Sequence, residues 1–341
     1  GPNLPFLSTD QNLEDTKAII DLLNPDKARR VLTFGGSYSG GTASWFRTHY
    51  PETTFASLSS SGVINAIIDF TEFDASVTET LQGYAAYPKC FETLLQAIDG
   101  IDYLSINELE DLKASPFNAS NLVRTRHGDS DFFYMVADAI AMAVQYGHKQ
   151  KLCEAMGDVD AEPINALASF IKDFYGPTFQ GQAFYDTQQI AALTDESPDG
   201  VGAKSWRWQK CSQVAYLQSR PEHARNALRS RHLTQDALHS QCVAMFPKNL
   251  LDLDNENAAF QKKYGAARPD LVGATRIFYL DYSDDPWKTA SAQGPFHPDS
   301  LDLKYCYTKC DGCGHCGSGV PKNLTECDNA SDDAIARWLA M

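Results

Sequence analysis

Hydrophobic positions along the chain follow two periods, which predict a mixed α/β part at each end and a helical part between them. After Ser8, a good helix cap that Gln11 turns into a capping box, apolar residues between 13 and 23 recur at helical spacing. Residues 31–34 are apolar on both faces, a pattern typical of a central parallel strand. A turn of small residues and a second helix follow, and residues 55–63 predict the next strand.

The middle of the chain is predicted to be mostly helical. Between about residues 66 and 265, apolar positions recur at the helical period, as in residues 132–146 and 233–246, and few strand patterns occur. Strand patterns return after residue 270, so the middle stretch interrupts an α/β part rather than following it. The predicted elements at the C-terminal end are strands at 275–280 and 301–307 and a helix at 332–339.

Residues 35–41, Gly-Gly-Ser-Tyr-Ser-Gly-Gly, join the first predicted strand to its helix. A strand, a turn of small residues with serine at its centre and a helix form the layout of a nucleophile elbow. The serine sits in strained backbone, so its neighbours must be small. We therefore expect Ser37 to be a nucleophile and the backbone N–H of Tyr38 to stabilise the oxyanion. A glycine-rich connection or a phosphate loop is the alternative, although the Lys-Ser/Thr pair of a phosphate loop is absent.

The composition indicates which partners and which cellular compartment suit this chain. The 341 residues carry 29 Lys plus Arg against 44 Asp plus Glu, a formal net charge of -15, which disfavours nucleic acid and anionic membranes as partners. The longest apolar runs, such as residues 137–144, are far shorter than a membrane span. Nine cysteines and three glycosylation sequons, at Asn118, Asn323 and Asn329, favour an oxidising compartment.

Several short motifs, spread in order along the chain, resemble the prolyl-carboxypeptidase family of serine peptidases. That family includes lysosomal Pro-Xaa carboxypeptidase, dipeptidyl peptidase II and thymus-specific serine protease. One departure lies shortly before the Asp-Pro-Trp motif, where the family usually carries Asn-Gly and this chain has Asp281-Tyr282. The matching segments are residues 7–11 (LSTDQ), 35–40 (GGSYSG), 45–47 (WFR), 50–51 (YP), 206–211 (WRWQKC), 285–287 (DPW) and 314–316 (GHC).

The resemblance implies a triad of Ser37, Asp285 and His315. These residues keep the chain order Ser, Asp, His of an α/β-hydrolase, and the last two follow predicted strands. His315 would accept the proton of Ser37, and Asp285 would orient the imidazole and stabilise its charged form. The rival acids and base are Asp281, Asp284 and His297.

The cysteines allow a disulfide interpretation and a metal interpretation. Four of them, Cys306, Cys310, Cys313 and Cys316, have a spacing that can also bind zinc or an iron–sulfur cluster. We prefer disulfides because sequons accompany them, and we place all nine cysteines among the disulfide candidates, with one thiol left over or paired outside the chain. The expected pairs elsewhere are Cys90 with Cys153 and Cys211 with Cys242; the remaining candidate is Cys327.

The expected fold class is α/β, an α/β-hydrolase core with a large inserted, mostly helical cap domain. Residues 1–65 and 266–341 would form the core and residues 66–265 the cap. Only about 30 residues precede the elbow strand, so the core is expected to lack its N-terminal strands and the loop that gives a second oxyanion donor. We expect a chain without that segment, which a longer precursor or a second chain would provide, to be weakly active or inactive.

The expected function is that of a secreted or lysosomal (vacuolar) serine exopeptidase acting on peptides, with proline preference implied by the resemblance alone. Trp206 and Trp208 either line an apolar pocket for proline or belong to the core. No cofactor, metal, nucleic acid or membrane is expected as a partner, and a homodimer is left open. The alternatives are a non-catalytic hydrolase-like binding protein, an esterase or lipase on the same fold, and a zinc or cluster protein.

Overall fold

The chain divides into two compact units. The computed structural model describes residues 4–157, 162–179, 185–194, 201–248, 250, 252–294, 296, 302–318 and 326–341. The helical unit comprises mainly Asp69–Cys211 and Tyr216–Leu251. The sheet unit comprises Pro2–Ile68, Ser212–Ala215 and Asp252–Met341. The sequence expectation placed the boundaries at 66 and 265, and the role of the helical part as a cap stays a prediction.

The sheet unit contains one parallel sheet of four strands in the order β1-β2-β3-β4. They are β1 (Leu32–Gly36), β2 (Ala56–Ser60), β3 (Ile277–Tyr282) and β4 (Leu303–Thr308). With the many helices, this sheet makes the chain an α/β protein, as expected. The assignment to an α/β-hydrolase core with missing strands stays a prediction.

Helices make up most of the described structure. In chain order they are α1 (Thr9–Leu23), α2 (Tyr38–His49), α3 (Thr71–Gln82), α4 (Cys90–Asp102), α5 (Ile106–Ala114), α6 (Gly128–Gln145), α7 (Lys149–Met156), α8 (Pro163–Phe170), α9 (Gly176–Phe179), α10 (Thr187–Ala192), α11 (Val201–Gln209), α12 (Gln235–Met245), α13 (Leu253–Tyr264) and α14 (Glu326–Ala340). Short 3-10 turns occur at Leu4–Phe6, Ser120–Leu122, Pro269–Val272, Pro286–Ala290 and His315–Gly317, and π-helical turns at Ile171–Tyr175 and Lys210–Val214.

Two local expectations need correction. The side chain of Ser8 caps α1 by accepting from the Gln11 N–H at 3.2 Å, but the Gln11 amide donates to Asp15 at 2.8 Å instead of completing a capping box. The apolar run at 31–34 was expected to be buried in the middle of the sheet. Within the described sheet β1 is the end strand, and Leu32 and Phe34 are 44% and 73% exposed.

Both faces of the inner strand β3 are covered, which fixes the strand ends that carry the site. On one face, Phe278, Leu280 and Tyr282 pack into a core with Trp338 of α14. On the other face, the hydroxyl of Tyr279 hydrogen-bonds the hydroxyl of Ser44 in α2 at 2.7 Å. All six residues of β3 are buried, as expected for an inner parallel strand.

Each of the two units contains disulfide bonds. The expected pairs Cys90–Cys153 and Cys211–Cys242 are confirmed in the helical unit. In the sheet unit, Cys306 pairs with Cys327 and Cys310 pairs with Cys313. Cys316, which the sequence placed among the disulfide candidates, is the free thiol and corrects that expectation.

Candidate active site

The three predicted triad residues follow the carboxyl ends of three strands of one sheet. Gly36 at the end of β1 is in register with Ser60 of β2, and Ser60 is in register with Leu280 of β3. Because the strands are parallel, the loops after them leave from the same edge, where ligands of open α/β sheets bind. Ser37 follows β1 directly, and Asp285 and His315 lie in the loops after β3 and β4.

Ser37 sits at the sharp corner between β1 and α2. Its backbone has φ 59° and ψ −131°, a conformation that residues other than glycine rarely adopt. The corner leaves no room for side chains around it, because a Cβ on Gly35 would lie 2.0 Å from the carbonyl oxygen of Ser39. A Cβ on Gly40 would lie 2.9 Å from the Cα of Gly62. The strained serine and the close approaches are the features of a nucleophile elbow.

Backbone hydrogen bonds hold this corner against β2. The Ser37 N–H donates to the carbonyl oxygen of Ser60 at 3.0 Å, and the Gly41 N–H donates to the carbonyl oxygen of Ser37 at 3.1 Å. Tyr38 is the first residue of α2, so its N–H belongs to the positive end of the helix, next to Ser37. Its role at an oxyanion stays a prediction.

Asp285 and His315 form a buried pair. The Nδ1 atom of His315 lies 2.8 Å from Oδ2 of Asp285, and the two side chains are 4% and 0% exposed. The other carboxylate oxygen, Oδ1, accepts from the Trp287 N–H at 2.9 Å, which caps the turn that begins at Pro286. Both oxygens of Asp285 are therefore bonded, and the imidazole has a fixed orientation.

The charges around His315 favour its protonated form. Burial by itself lowers the pKa of His315, but the carboxylate of Asp285 and, to a smaller extent, the thiol of Cys316 raise it above its ordinary value. The other ring nitrogen, Nε2, is buried without a hydrogen-bond partner among the described residues. This nitrogen is the one that a general base would use.

The loop that carries His315 touches the elbow. The Sγ atom of Cys316 lies 3.0 Å from the position of a Cβ on Gly36, the residue before Ser37. The Cys316 N–H donates to the hydroxyl of Ser61, just after β2, at 2.8 Å. The residue after His315 and the residue before Ser37 are thus in contact, while the role of these side chains as a triad stays a prediction.

A second set of contacts, which the sequence did not predict, holds the histidine loop to the loop after β3. Oδ2 of Asp284 accepts from the Gly312 N–H at 2.8 Å. The hydroxyl of Ser283 donates to the carbonyl oxygen of Cys310 at 2.9 Å, beside the Cys310–Cys313 disulfide. Asp284 was only a rival to Asp285 in the sequence. The Ser-Asp-Asp run at 283–285 was the available signal that this loop carries more than one contact.

Asp281, the other rival, does not pair with the imidazole in the manner of Asp285. It lies on β3, is 0% exposed, and neither carboxyl oxygen has a hydrogen-bond partner among the described residues. Burial raises its pKa to about 8, and the neighbouring Asp285 carboxylate adds to the rise. The third rival, His297, lies outside the described residues.

The two tryptophans proposed for a substrate pocket lie on α11 in the helical unit. Trp208 is 3% exposed and packs edge-on against Phe246 with ring centroids 5.3 Å apart, the core role that the sequence left open. Trp206 is half-buried and stacks on Tyr216 at 6.4 Å. A pocket role therefore stays a prediction that depends mainly on Trp206.

Two of the three sequons are described, and both asparagines are accessible. Asn118 lies in a loop of the helical unit and Asn329 lies on α14, and both are exposed. Asn323 lies outside the described residues.

Among the described residues, no helix combines the length and the apolar character needed to cross a membrane.

Comparison with known proteins points in the same direction as the geometry. A family model described as serine carboxypeptidase S28 matches residues 1–317. A probable serine protease of Arabidopsis thaliana is 27% identical over 332 residues, covering 93% of this chain and 63% of the relative. A probable extracellular serine carboxypeptidase of Arthroderma benhamiae is 25% identical, covering 84% and 46%, and the lysosomal Pro-X carboxypeptidase of Bos taurus is 31% identical, covering 62% and 46%. The chain thus spans less than two thirds of these relatives' length.

Proposed function

We propose that this chain, which belongs to the serine carboxypeptidase S28 family, is a serine peptidase that hydrolyses peptide bonds through an acyl-enzyme. The observation that carries the proposal is the buried Asp285–His315 hydrogen bond, 2.8 Å long, in a loop that contacts the elbow of Ser37. A nucleophile, a base and a group that orients the base are the parts that acyl transfer requires.

In the proposed reaction, the Ser37 hydroxyl attacks the carbonyl carbon of the scissile peptide bond. Nε2 of His315 takes the hydroxyl proton as the new C–O bond forms, and Asp285 stabilises the resulting imidazolium. The imidazolium then gives that proton to the leaving amine as the C–N bond breaks. Water attacks the ester by the same route and releases the second product and free Ser37.

The developing negative charge on the substrate oxygen needs hydrogen-bond donors. The N–H of Tyr38 suits this role because it follows the nucleophile and stands at the N-terminus of α2. A single donor of this kind contributes about 3 kcal/mol to the transition state in other enzymes.

We further propose that the substrates are peptide chain ends with proline before the scissile bond. The support is the name of the bovine relative, a Pro-X carboxypeptidase, and the stacked, half-buried Trp206 as a candidate wall for a proline ring. Aromatic side chains suit an apolar ring of that size. In this proposal, residues 66–265 act as the domain that restricts access to chain ends.

We propose a secreted or lysosomal location for the same protein. Four disulfides and two exposed sequon asparagines, Asn118 and Asn329, fit an oxidising and glycosylating compartment. Two relatives carry the words extracellular and lysosomal in their names. The location could be tested by treating the natural protein with a glycosidase and measuring the loss of mass.

A fluorophosphonate probe tests the serine chemistry, because it reacts covalently with activated serines. The full natural protein should be labelled, and the label should disappear in Ser37→Ala while Ser39→Ala keeps it. Absence of labelling in the folded protein would favour a non-catalytic binding protein. If the protein is labelled, comparing its hydrolysis of a prolyl peptide and of an ester in competition then distinguishes a peptidase from an esterase.

A further inference from the structure

A second carboxyl group is buried beside the Asp285–His315 pair. Asp281 lies near the end of β3, in register with Tyr307 of β4, and is 0% exposed. Neither of its oxygens meets hydrogen-bond geometry with any described group, although the hydroxyls of Ser291 and Tyr305 act on the carboxyl. An ionised carboxylate in such a place would be an unpaired buried charge, which the loss of hydration strongly disfavours.

The groups around Asp281 cannot neutralise two carboxylates at once. Among the described residues, the charged and titrating groups that act on it are Asp285 from the loop after β3, His315 from the loop after β4 and Tyr305 from β4. Asp285 has a bonded partner at each oxygen, the Trp287 N–H and the His315 ring, whereas neither oxygen of Asp281 has one among the described residues. The single imidazole is committed to Asp285.

When two neighbouring acids have such different surroundings, the proton stays on the acid whose oxygens accept no well-formed hydrogen bond. We propose that Asp281 is a positioning residue that works in its protonated, neutral form and keeps a second negative charge away from the Asp285–His315 pair. This inference rests on the proposed role of His315 as the base. An ionised Asp281 would add a second negative charge near the imidazolium, so His315 would hold its proton to higher pH and would be a poorer acceptor for the proton of Ser37.

Thermal stability tests the protonation of Asp281 without reference to activity. An unfolded aspartate ionises near pH 4, whereas the folded one keeps its proton up to about pH 8, so rising pH in this window destabilises the wild type. Asp281→Asn has the same shape and no titration. The melting temperatures should converge at about pH 4, and the wild type should fall progressively below D281N up to about pH 8. A constant difference between the two would overturn the proposal.

The pH dependence of fluorophosphonate labelling tests the effect on the base. The labelling rate should rise with pH as His315 loses its proton, and this rise should occur at lower pH in D281N than in the wild type, because D281N cannot add the second negative charge that holds the proton on the imidazole. Coincident profiles of the two proteins would overturn the positioning role. Asp284→Asn is the matched control, since it removes a nearby buried carboxylate that accepts the Gly312 N–H and should slow labelling at every pH.

These measurements separate the inference from the proposed function. A folded wild type that no probe labels at any pH would count against the proposed function, and the melting temperatures would still decide whether Asp281 holds its proton. If D281N does not fold, Asp281→Leu replaces it, because it also lacks a titrating group and has a similar volume. The expected result is then a difference between the two melting temperatures that changes progressively from about pH 4 to about pH 8, and a constant difference is the contrary one.

Discussion

Gly36 and Cys316 touch, although 280 positions separate them in the numbering: Sγ of Cys316 lies 3.0 Å from the point that a Cβ would occupy on Gly36. Cys316 also has a left-handed backbone, φ 55°, which its N–H bond to the Ser61 hydroxyl supports. Because one residue precedes Ser37 and the other follows His315, the contact sets how closely the nucleophile loop and the base loop approach each other.

A methyl group at Gly36 should therefore push the base loop away from the elbow. We expect Gly36→Ala to cost about 1–3 kcal/mol of stability and to slow fluorophosphonate labelling more than its loss of stability explains. Cys316→Ala removes the sulfur atom that the new methyl group meets, so the double variant should regain most of the labelling rate. A double-mutant cycle measures this coupling, and strictly additive effects would contradict the contact.

The Asp285–His315 hydrogen bond leads to a prediction about how labelling depends on pH. The carboxylate raises the pKa of His315 and stabilises the imidazolium, so Asp285→Asn should lower that pKa and slow labelling by about 10⁴-fold. A base acts only when neutral, so the remaining activity of D285N should persist to lower pH than that of the wild type. The labelling rate as a function of pH checks this, and an acid limb that moves to higher pH would contradict it.

The same pair links stability to pH, with a sign that follows from the raised pKa. The folded state binds the proton of His315 more tightly than the unfolded chain does, so protonation stabilises the fold. This gain is complete below the pKa of a histidine in the unfolded chain, about 6.5, and is lost as the pH rises through the higher pKa of the folded state. The melting temperature of the wild type should therefore exceed that of D285N most at about pH 5 and least in alkaline solution. Asp302→Asn, at a partly exposed carboxylate, is the control and should show no such trend.

The parts of the site that the sequence predicted depend on local chemistry and chain order. A serine among glycines after an apolar run defines the turn at Ser37 wherever the run lies in the sheet. Asp285 stands before a proline and a tryptophan, and His315 follows the last predicted strand, so both were placed in loops at the same sheet edge. The structure brings Asp285 and His315 into contact, as that placement implied.

The parts that the sequence did not predict depend on what surrounds each residue. Apolar residues at Leu32 and Phe34 predict burial, but only neighbouring elements decide whether they are covered, and β1 ends the described sheet. The departure at Asp281 was visible in the chain, whereas its full burial depends on the packing of β3. The free thiol of Cys316 likewise follows from distances that cysteine spacing alone does not define.

The Asp284–Gly312 hydrogen bond should prove important for the histidine loop. Asp284 is 8% exposed, and a hydrogen bond to a charged acceptor contributes about 1.5–3 kcal/mol. We expect Asp284→Asn to increase amide hydrogen exchange between residues 310 and 318 and to slow labelling, while the disulfide Cys310–Cys313 remains formed. Unchanged exchange in this loop would show that the disulfide holds it without help from Asp284.

Arg47, within the WFR motif on α2, is a buried cation bonded mostly to backbone carbonyl groups. Its Nη1 atom donates to the carbonyl oxygens of Pro51 and Thr54, each at 2.8 Å, and its Nε atom donates to that of Thr275 at 2.9 Å. These carbonyls belong to the segments that lead into β2 and β3. Burial lowers the pKa of Arg47 to about 10, which leaves it charged at neutral pH.

Replacing Arg47 by methionine keeps the apolar stem and leaves these carbonyl oxygens without their donor, of which that of Thr54 lies in a fully buried hydrogen bond. A buried unsatisfied group costs about 1–3 kcal/mol, so Arg47→Met should lose at least that much in urea unfolding. The stability of Arg47→Lys should lie between those of the wild type and Arg47→Met, since a single ammonium group cannot donate in all the directions that the planar guanidinium reaches. Lys17→Met on α1 removes a partly exposed cation that forms an ion pair with Asp21, and as a control it should change little. A loss in Arg47→Met no larger than in this control would mean that water satisfies the carbonyl groups once the guanidinium is gone.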